Sequence, residues 1–125
     1  MLKDMVIPLN VSATPQVFKG EDAVLGKLYA IEYRPGTILT GATILVTTVG
    51  DATKTLLSKA TAGTSNAWFY PRDIVCGTED GAVLLGTSGG DRCLPLMRGV
   101  PTVTVTSGWA SGATLVGELT LYYEE

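Results

Sequence analysis

Over residues 100–125 apolar and hydroxyl side chains alternate: Val103 and Val105 stand between Thr102, Thr104 and Thr106, and after a glycine-bounded turn at 108–112 a second such run covers 115–123. A period of two sends one row of side chains into a core and the other toward a wetter surface, which is the pattern of a half-buried β-strand. A chain that ends this way must build a sheet and cover one of its faces.

The same reading places further strands at 3–11, 16–19, 26–33, 42–49, 53–58, 67–70 and 83–85, with the C-terminal pair at 101–106 and 113–123. Each is bounded by Gly, Pro, Asn or Asp. Examples are Pro35-Gly36, Gly50-Asp51 and the stretch 63–66, which supply the backbone angles that reverse a strand. The best helical candidate, 52–62, has Leu56 and Leu57 adjacent rather than at three-and-four spacing, and its threonines are mediocre helix formers, so it is assigned as strand. Short strands at this spacing predict an all-β fold, a single-domain antiparallel β-sandwich over residues 1–125 that is jelly-roll-like. Strand order depends on long-range pairing, so local patterns leave an immunoglobulin-like order open. No internal repeat or linker interrupts the chain. At 125 residues and 13.1 kDa, folding removes roughly two-thirds of the chain's surface from water, and no disulfide or metal is required for stability.

Nine basic and twelve acidic residues leave a net charge of −3, and no Lys/Arg cluster offsets it, which argues against binding nucleic acid through its phosphates. Mean hydropathy is high at +0.28, yet no apolar run approaches the roughly 20 residues of a membrane helix. A protein partner or further copies of the chain are expected to cover the excess apolar surface. The start Met1-Leu2-Lys3-Asp4 lacks a basic region followed by an apolar stretch, so synthesis and retention in a cytoplasm are expected. In that compartment Cys76 and Cys93 are expected to be free thiols, although a bridge between them would stabilise by about 3 kcal/mol.

The chain contains no histidine. That removes Ser-His and Cys-His nucleophile activation, histidine metal sites and the commonest general base at neutral pH. Cys76 has no obvious base, and Asp73 nearby would raise its pKa, so it is assigned as a small apolar core residue. Glu79, Asp80 and Asp91 lie among glycines where carboxylates can gather round calcium, but they do not match a spaced calcium loop and are expected to be solvated turn residues. The stretch 86–92 is glycine-rich, but it lacks the lysine and following helix of a phosphate loop. No enzyme, cofactor or metal is implied. The glycine-rich stretch 77–99, with little core material, is a candidate interface.

The densest aromatic cluster is Trp68-Phe69-Tyr70-Pro71-Arg72. Consecutive aromatics on a strand point to opposite faces, so both faces are covered or one meets a partner. Core packing and interface contact both suit Trp68 and Tyr70, because aromatics and Arg dominate interface hot spots. Stacking on a sugar is a third role, to which Trp109 beside its glycine-flanked turn also lends itself.

Read in order, Gly26-Lys27-Leu28-Tyr29-Ala30-Ile31-Glu32-Tyr33, Gly41-Ala42-Thr43-Ile44-Leu45-Val46-Thr47-Thr48 and Phe69-Tyr70-Pro71-Arg72 resemble a group of small tailed-bacteriophage structural proteins. Leu94-Pro95-Leu96, Val103-Thr104-Val105, Gly112-Ala113-Thr114 and Gly117-Glu118-Leu119 continue the same order. The resemblance implies a capsid cement, or head decoration, protein: a non-enzymatic β-sandwich or jelly roll, often trimeric, that sits on the outer capsid surface of the virion and binds the major capsid protein. The segment 77–90 and the first twenty residues depart from that layout.

Two functions are therefore expected of different kinds. The first is a homotrimeric cement protein whose contacts come from an N-terminal arm within 1–20 (Val6, Ile7, Val11, Phe18) and from Trp68, Phe69, Tyr70 and Arg72, the arm being removable without loss of the fold. The second is a fibre or neck/tail accessory module that binds carbohydrate in host attachment, with Trp109 or Trp68 as the stacking platform.

Overall fold

A computed structural model describes residues 2–50, 53–74, 92–107, 109 and 112–125. Its strands are β1 (Leu2–Val11), β2 (Gln16–Lys19), β3 (Val24–Arg34), β4 (Thr43–Val49), β5 (Lys54–Lys59), β6 (Ala67–Phe69), β7 (Asp73–Ile74), β8 (Arg92–Cys93), β9 (Leu96–Thr106) and β10 (Leu115–Glu124). The described residues contain no helix, and 52–62 supplies β5 as expected. The strand expected at 83–85 lies outside the described residues, as does most of the candidate interface stretch 77–99. The two-residue pair β7–β8 has too short a pattern to be visible in the sequence.

All pairings are antiparallel. One sheet runs β1-β10-β3-β6 and the other β2-β9-β4-β5, with β7 and β8 apart. With those two set aside, this is the alternating order of a jelly roll, whose two sheets enclose one core. The sheets are also continuous. The first part of β9 pairs with β3 (Val24↔Gly99 to Lys27↔Leu96), and from Val100 onward the strand pairs with β4. Gly99 makes that transfer with φ of 127°, and a Cβ there would collide with the Val49 carbonyl oxygen. The alternation at 101–106 therefore extends back five residues to Leu96, through Pro101 and Gly99, which locally resemble strand terminators.

The expected period of two governs burial. Ile7, Leu9 and Val11 of β1, Leu119, Leu121 and Tyr123 of β10, and Val103 and Val105 of β9 all face the core. In β3 the rhythm changes once. Tyr122 of β10 pairs with Ala30 and Tyr123 with Leu28, so Tyr29 is an extra residue, a β-bulge. Val24 and Leu28 are inward before it, and Ile31 and Tyr33 inward after it.

These placements correct the N-terminal arm. Residues 2–11 are an edge strand with ten register pairs to β10, and Ile7 (1% exposed) and Val11 (0%) are core residues that no partner reaches in the folded chain. Phe18 packs against the core from β2, and Val6 alone of the four points outward. Burying side chains such as Ile7 and Leu9 contributes roughly 1.5–3 kcal/mol each, so this segment belongs to the fold and is not a removable appendage.

The Tyr33 hydroxyl is buried without a hydrogen-bond partner, and burial pushes its pKa up to about 12. Tyr33→Phe should stabilise the protein by about 1 kcal/mol at neutral pH, since an unsatisfied buried hydroxyl is removed. The unfolded phenol titrates near 10, so the unfolded chain loses this proton first and stability falls as pH rises from 10 toward 12. Alkaline unfolding monitored by circular dichroism should accordingly move to higher pH in the variant. Gly99→Ala combines a disallowed backbone angle with the Val49 collision and should cost about 2–4 kcal/mol in urea unfolding. Gly41→Ala, where a Cβ meets nothing within 4 Å, should stay within about 0.5 kcal/mol.

Candidate functional site

The solvent-facing side of the β1-β10-β3 sheet carries the candidate site, and the strand register assembles it row by row. One row runs Val6, Thr120, Glu32, Trp68 across β1, β10, β3 and β6. The next runs Pro8, Glu118, Arg34. Toward the opposite end, Leu2, Glu124, Lys27 and Leu96 form a row, with Leu25 opposite Arg98 beside it.

The central row is organised around a buried carboxylate. Glu32 is only 6% exposed although it faces outward. Arg34 Nε lies 3.2 Å from its Oε2, and the Tyr122 hydroxyl donates to its Oε1 at 3.1 Å. Arg34 Nη1 also donates to Glu118 Oε1 at 3.2 Å, so one guanidinium joins two carboxylates. The Trp68 ring stacks on Tyr122 with centroids 5.2 Å apart and planes 26° apart. Partial burial, then the hydrogen bond to Glu32 and its charge, raise the Tyr122 pKa, and the bond to Glu32 raises that of Arg34. Hydrogen bonds to a charged group are stronger than neutral ones, so Glu32 orients both the ring beneath Trp68 and the guanidinium beside it.

The aromatic cluster divides between the faces as a strand requires. Phe69 pairs with Ile31 and packs against the core, whereas Trp68 (48% exposed) and Tyr70 (63%) lie on the surface. Arg72 Nη1 donates to the Tyr29 and Pro71 carbonyl oxygens, so it ties the segment after β6 to the bulge. Trp109 is not an open platform: it packs against the core, and its Nε1 donates to the Ala113 carbonyl at 2.7 Å. Beside the central row a groove of about 310 Å³ is lined by Arg34, Gly36, Asn66, Val116, Gly117 and Glu118. At the far end, exposed Leu25 (64%), Leu2 (59%) and Leu96 (51%) surround Lys27 and Glu124.

Glu32, Arg34, Glu118 and Tyr122, and the leucines at the far end, are absent from the contact residues expected from sequence. A charged Glu32 between apolar Ile31 and Tyr33 was the available signal, because a carboxylate inside a half-buried strand marks its outer face. Among the described residues no group of three or more His, Cys, Asp or Glu side chains is placed to hold a metal. Cys76 and the acidic residues Glu79, Asp80 and Asp91 lie outside the described residues. So does the glycine-rich 86–91, and of Arg92 and Cys93 only the backbone, in β8, is described. No helix among the described residues is long and apolar enough to cross a membrane. Comparison with protein-family models, curated proteins and solved structures finds no match.

Glu32→Gln removes the charge that Tyr122 and Arg34 share. The Tyr122 phenol should then titrate at lower pH in an alkaline absorbance titration, because two of the causes that raise it come from Glu32. Thermal unfolding should show a loss of roughly 1–3 kcal/mol.

Proposed function

We propose that this chain is a non-enzymatic structural protein of a tailed-phage virion, a cement protein that binds the major capsid protein on the outer capsid surface and works as a homotrimer. The observation that carries this reading is the leucine end of the outer sheet face. Leu2, Leu25 and Leu96 stand exposed around Lys27 and Glu124, with Arg98 opposite Leu25, so large apolar side chains and charges of both signs are interspersed there, as at protein–protein interfaces. The jelly-roll architecture and the strand layout that resembles small phage structural proteins support the same reading. So does the lack of histidine throughout the sequence, which leaves few groups suited to proton transfer near neutral pH.

Mechanically, such a protein needs no reaction. Whatever binds the assembled lattice and not its free subunits shifts the equilibrium toward assembly, and a trimer that clamps neighbouring capsomers opposes the outward load of packaged DNA. Contacts through the leucine end leave the Trp68 face open.

The double variant Leu25→Asp, Leu96→Asp alters two exposed side chains and should melt within about 0.5 kcal/mol of the parent. Light scattering should give a mass near three chains for the parent and one chain for the variant. Shells prepared from the encoding phage after deletion of this gene should bind the parent to saturation and fail to bind the variant. A parent protein that stays monomeric and never sediments with such shells would overturn the proposal.

A further inference from the structure

The Trp68 surface has a chemistry different from that of the leucine end. Its centre is a half-exposed indole with Tyr122 stacked against it, and Val6, Tyr70 and Val116 are exposed around it. Around that ring stand Thr120, Glu32, Arg34, Glu118 and Asn66, all polar. The ring is also held in place. Tyr122 beneath it is fixed by the buried Glu32 carboxylate, and Arg34 fixes Glu32 from the other side. A buried charge is costly to maintain on the outer face of a sheet, and its visible effect here is to keep an aromatic plane and a guanidinium rigid.

The groove that holds Arg34, Asn66 and Glu118 begins one outward row from Trp68, roughly 7 Å away along the strands. Gly36 and Gly117 line it, and the chain packs too closely there for a side chain at Gly117, where a Cβ would lie 2.7 Å from the Pro35 carbonyl oxygen. Its volume of about 310 Å³ sits at the small end of the range for small-ligand sites, roughly 300–1,000 Å³. Arg34 uses Nε and Nη1 for the two carboxylates, which leaves N–H donors of its planar fork for a ligand. Glu118 and Asn66 offer acceptors, and Asn66 a further donor.

We infer that this face binds a pyranose sugar, with the apolar C–H face of the ring against Trp68 and its hydroxyl rim reaching Arg34, Asn66 and Glu118. A pyranose has the matching arrangement, one flat apolar face bordered by groups that both donate and accept. A nucleobase also stacks on indole, but its phosphates meet Glu118, Glu32 and a chain of net charge −3. A protein hot spot wants a desolvated apolar surround, whereas the register neighbours of this ring in its own row and the next are mostly polar: Thr120, Glu32, Arg34, Glu118 and Asn66. The inference stands apart from the cement proposal, since it uses other residues.

The test is titration of the intact protein with the methyl glycosides of glucose, galactose, mannose and N-acetylglucosamine, followed by tryptophan fluorescence, with a glycan array in parallel. At least one glycoside should give a saturable change with Kd on the order of 1 mM, as suits a single ring on an open face. Trp68→Ala removes the fluorescent reporter together with the platform, so it is read on the array, where it should lose glycan binding while still unfolding cooperatively with a midpoint lowered only by loss of the Tyr122 stack; Glu118→Gln should weaken binding about tenfold in the titration. The variant Leu25→Asp, Leu96→Asp should bind the glycoside as the parent does, so the sugar site and the capsid contact fail separately. No saturable binding on either platform, or binding unchanged in Trp68→Ala, overturns the inference. Loss of shell binding in Trp68→Ala with no glycan signal would likewise overturn it and assign the face to a protein contact. Binding confined to glycans immobilised on the array identifies a surface-displayed ligand, and equal binding of the free glycosides identifies a soluble one; either supports the site.

Discussion

Everything in this molecule depends on β9 belonging to two sheets. Its first residues hydrogen-bond to β3 and its remainder to β4, with the change made at Gly99 and Val100. A strand that leaves one sheet and enters another obliges the two to fold over each other, and the side chains between them become a single core. Met97 before the transfer and Val103 and Val105 after it are all fully buried, so the same strand lines that core on both sides. The transfer brings the backbone so close to Val49 that only a glycine fits, and the Gly20 N–H closes the neighbouring corner by donating to the Pro101 carbonyl at 2.8 Å.

The bulge at Tyr29 matters as much to function as the β9 transfer does to the fold. Val24 and Leu28 face inward, and with an unbroken period of two the next inward residues would be Ala30, Glu32 and Arg34. Two charges would then sit in the core, and Ile31 and Tyr33 would lie on the surface. The extra residue exchanges the two sets. It hands Ile31 and Tyr33 to the interior and places Glu32 and Arg34 beside Tyr122 and Trp68. Arg72, donating to the carbonyl of the bulged residue, ties the aromatic segment to the place where the strand changes phase. The outer face thus carries two chemistries, an aromatic-polar centre and a leucine-rich end.

Seven of the expected strands appear within a few residues of their positions, because alternation and turn residues are local properties that survive folding. The same is true of Phe69 and Trp68, whose opposite orientations follow from adjacency on a strand. Burial of whole segments was less legible. The N-terminal stretch reads as a strand at 3–11 and, because the first twenty residues depart from the phage layout, as a contact arm; its ten pairs with β10 make it a sheet edge. Trp109 sits in a glycine-flanked turn that suggests display, and only the fold shows its indole turned to the Ala113 carbonyl.

By itself the sequence determined the class of structure: alternation set the strands, glycines and prolines set their limits, and the scarcity of helical periodicity left a β-sandwich as the way to bury them. It also determined the residue content that any chemistry must use, with no histidine and a net charge of −3. Only the tertiary structure decided which face of each strand is free, which rows meet, and that Glu32, Tyr122, Arg34 and Trp68 form one unit. Those side chains come from three strands that lie far apart in sequence, and pairing register, shifted by one bulged residue, is a long-range property that no local pattern encodes.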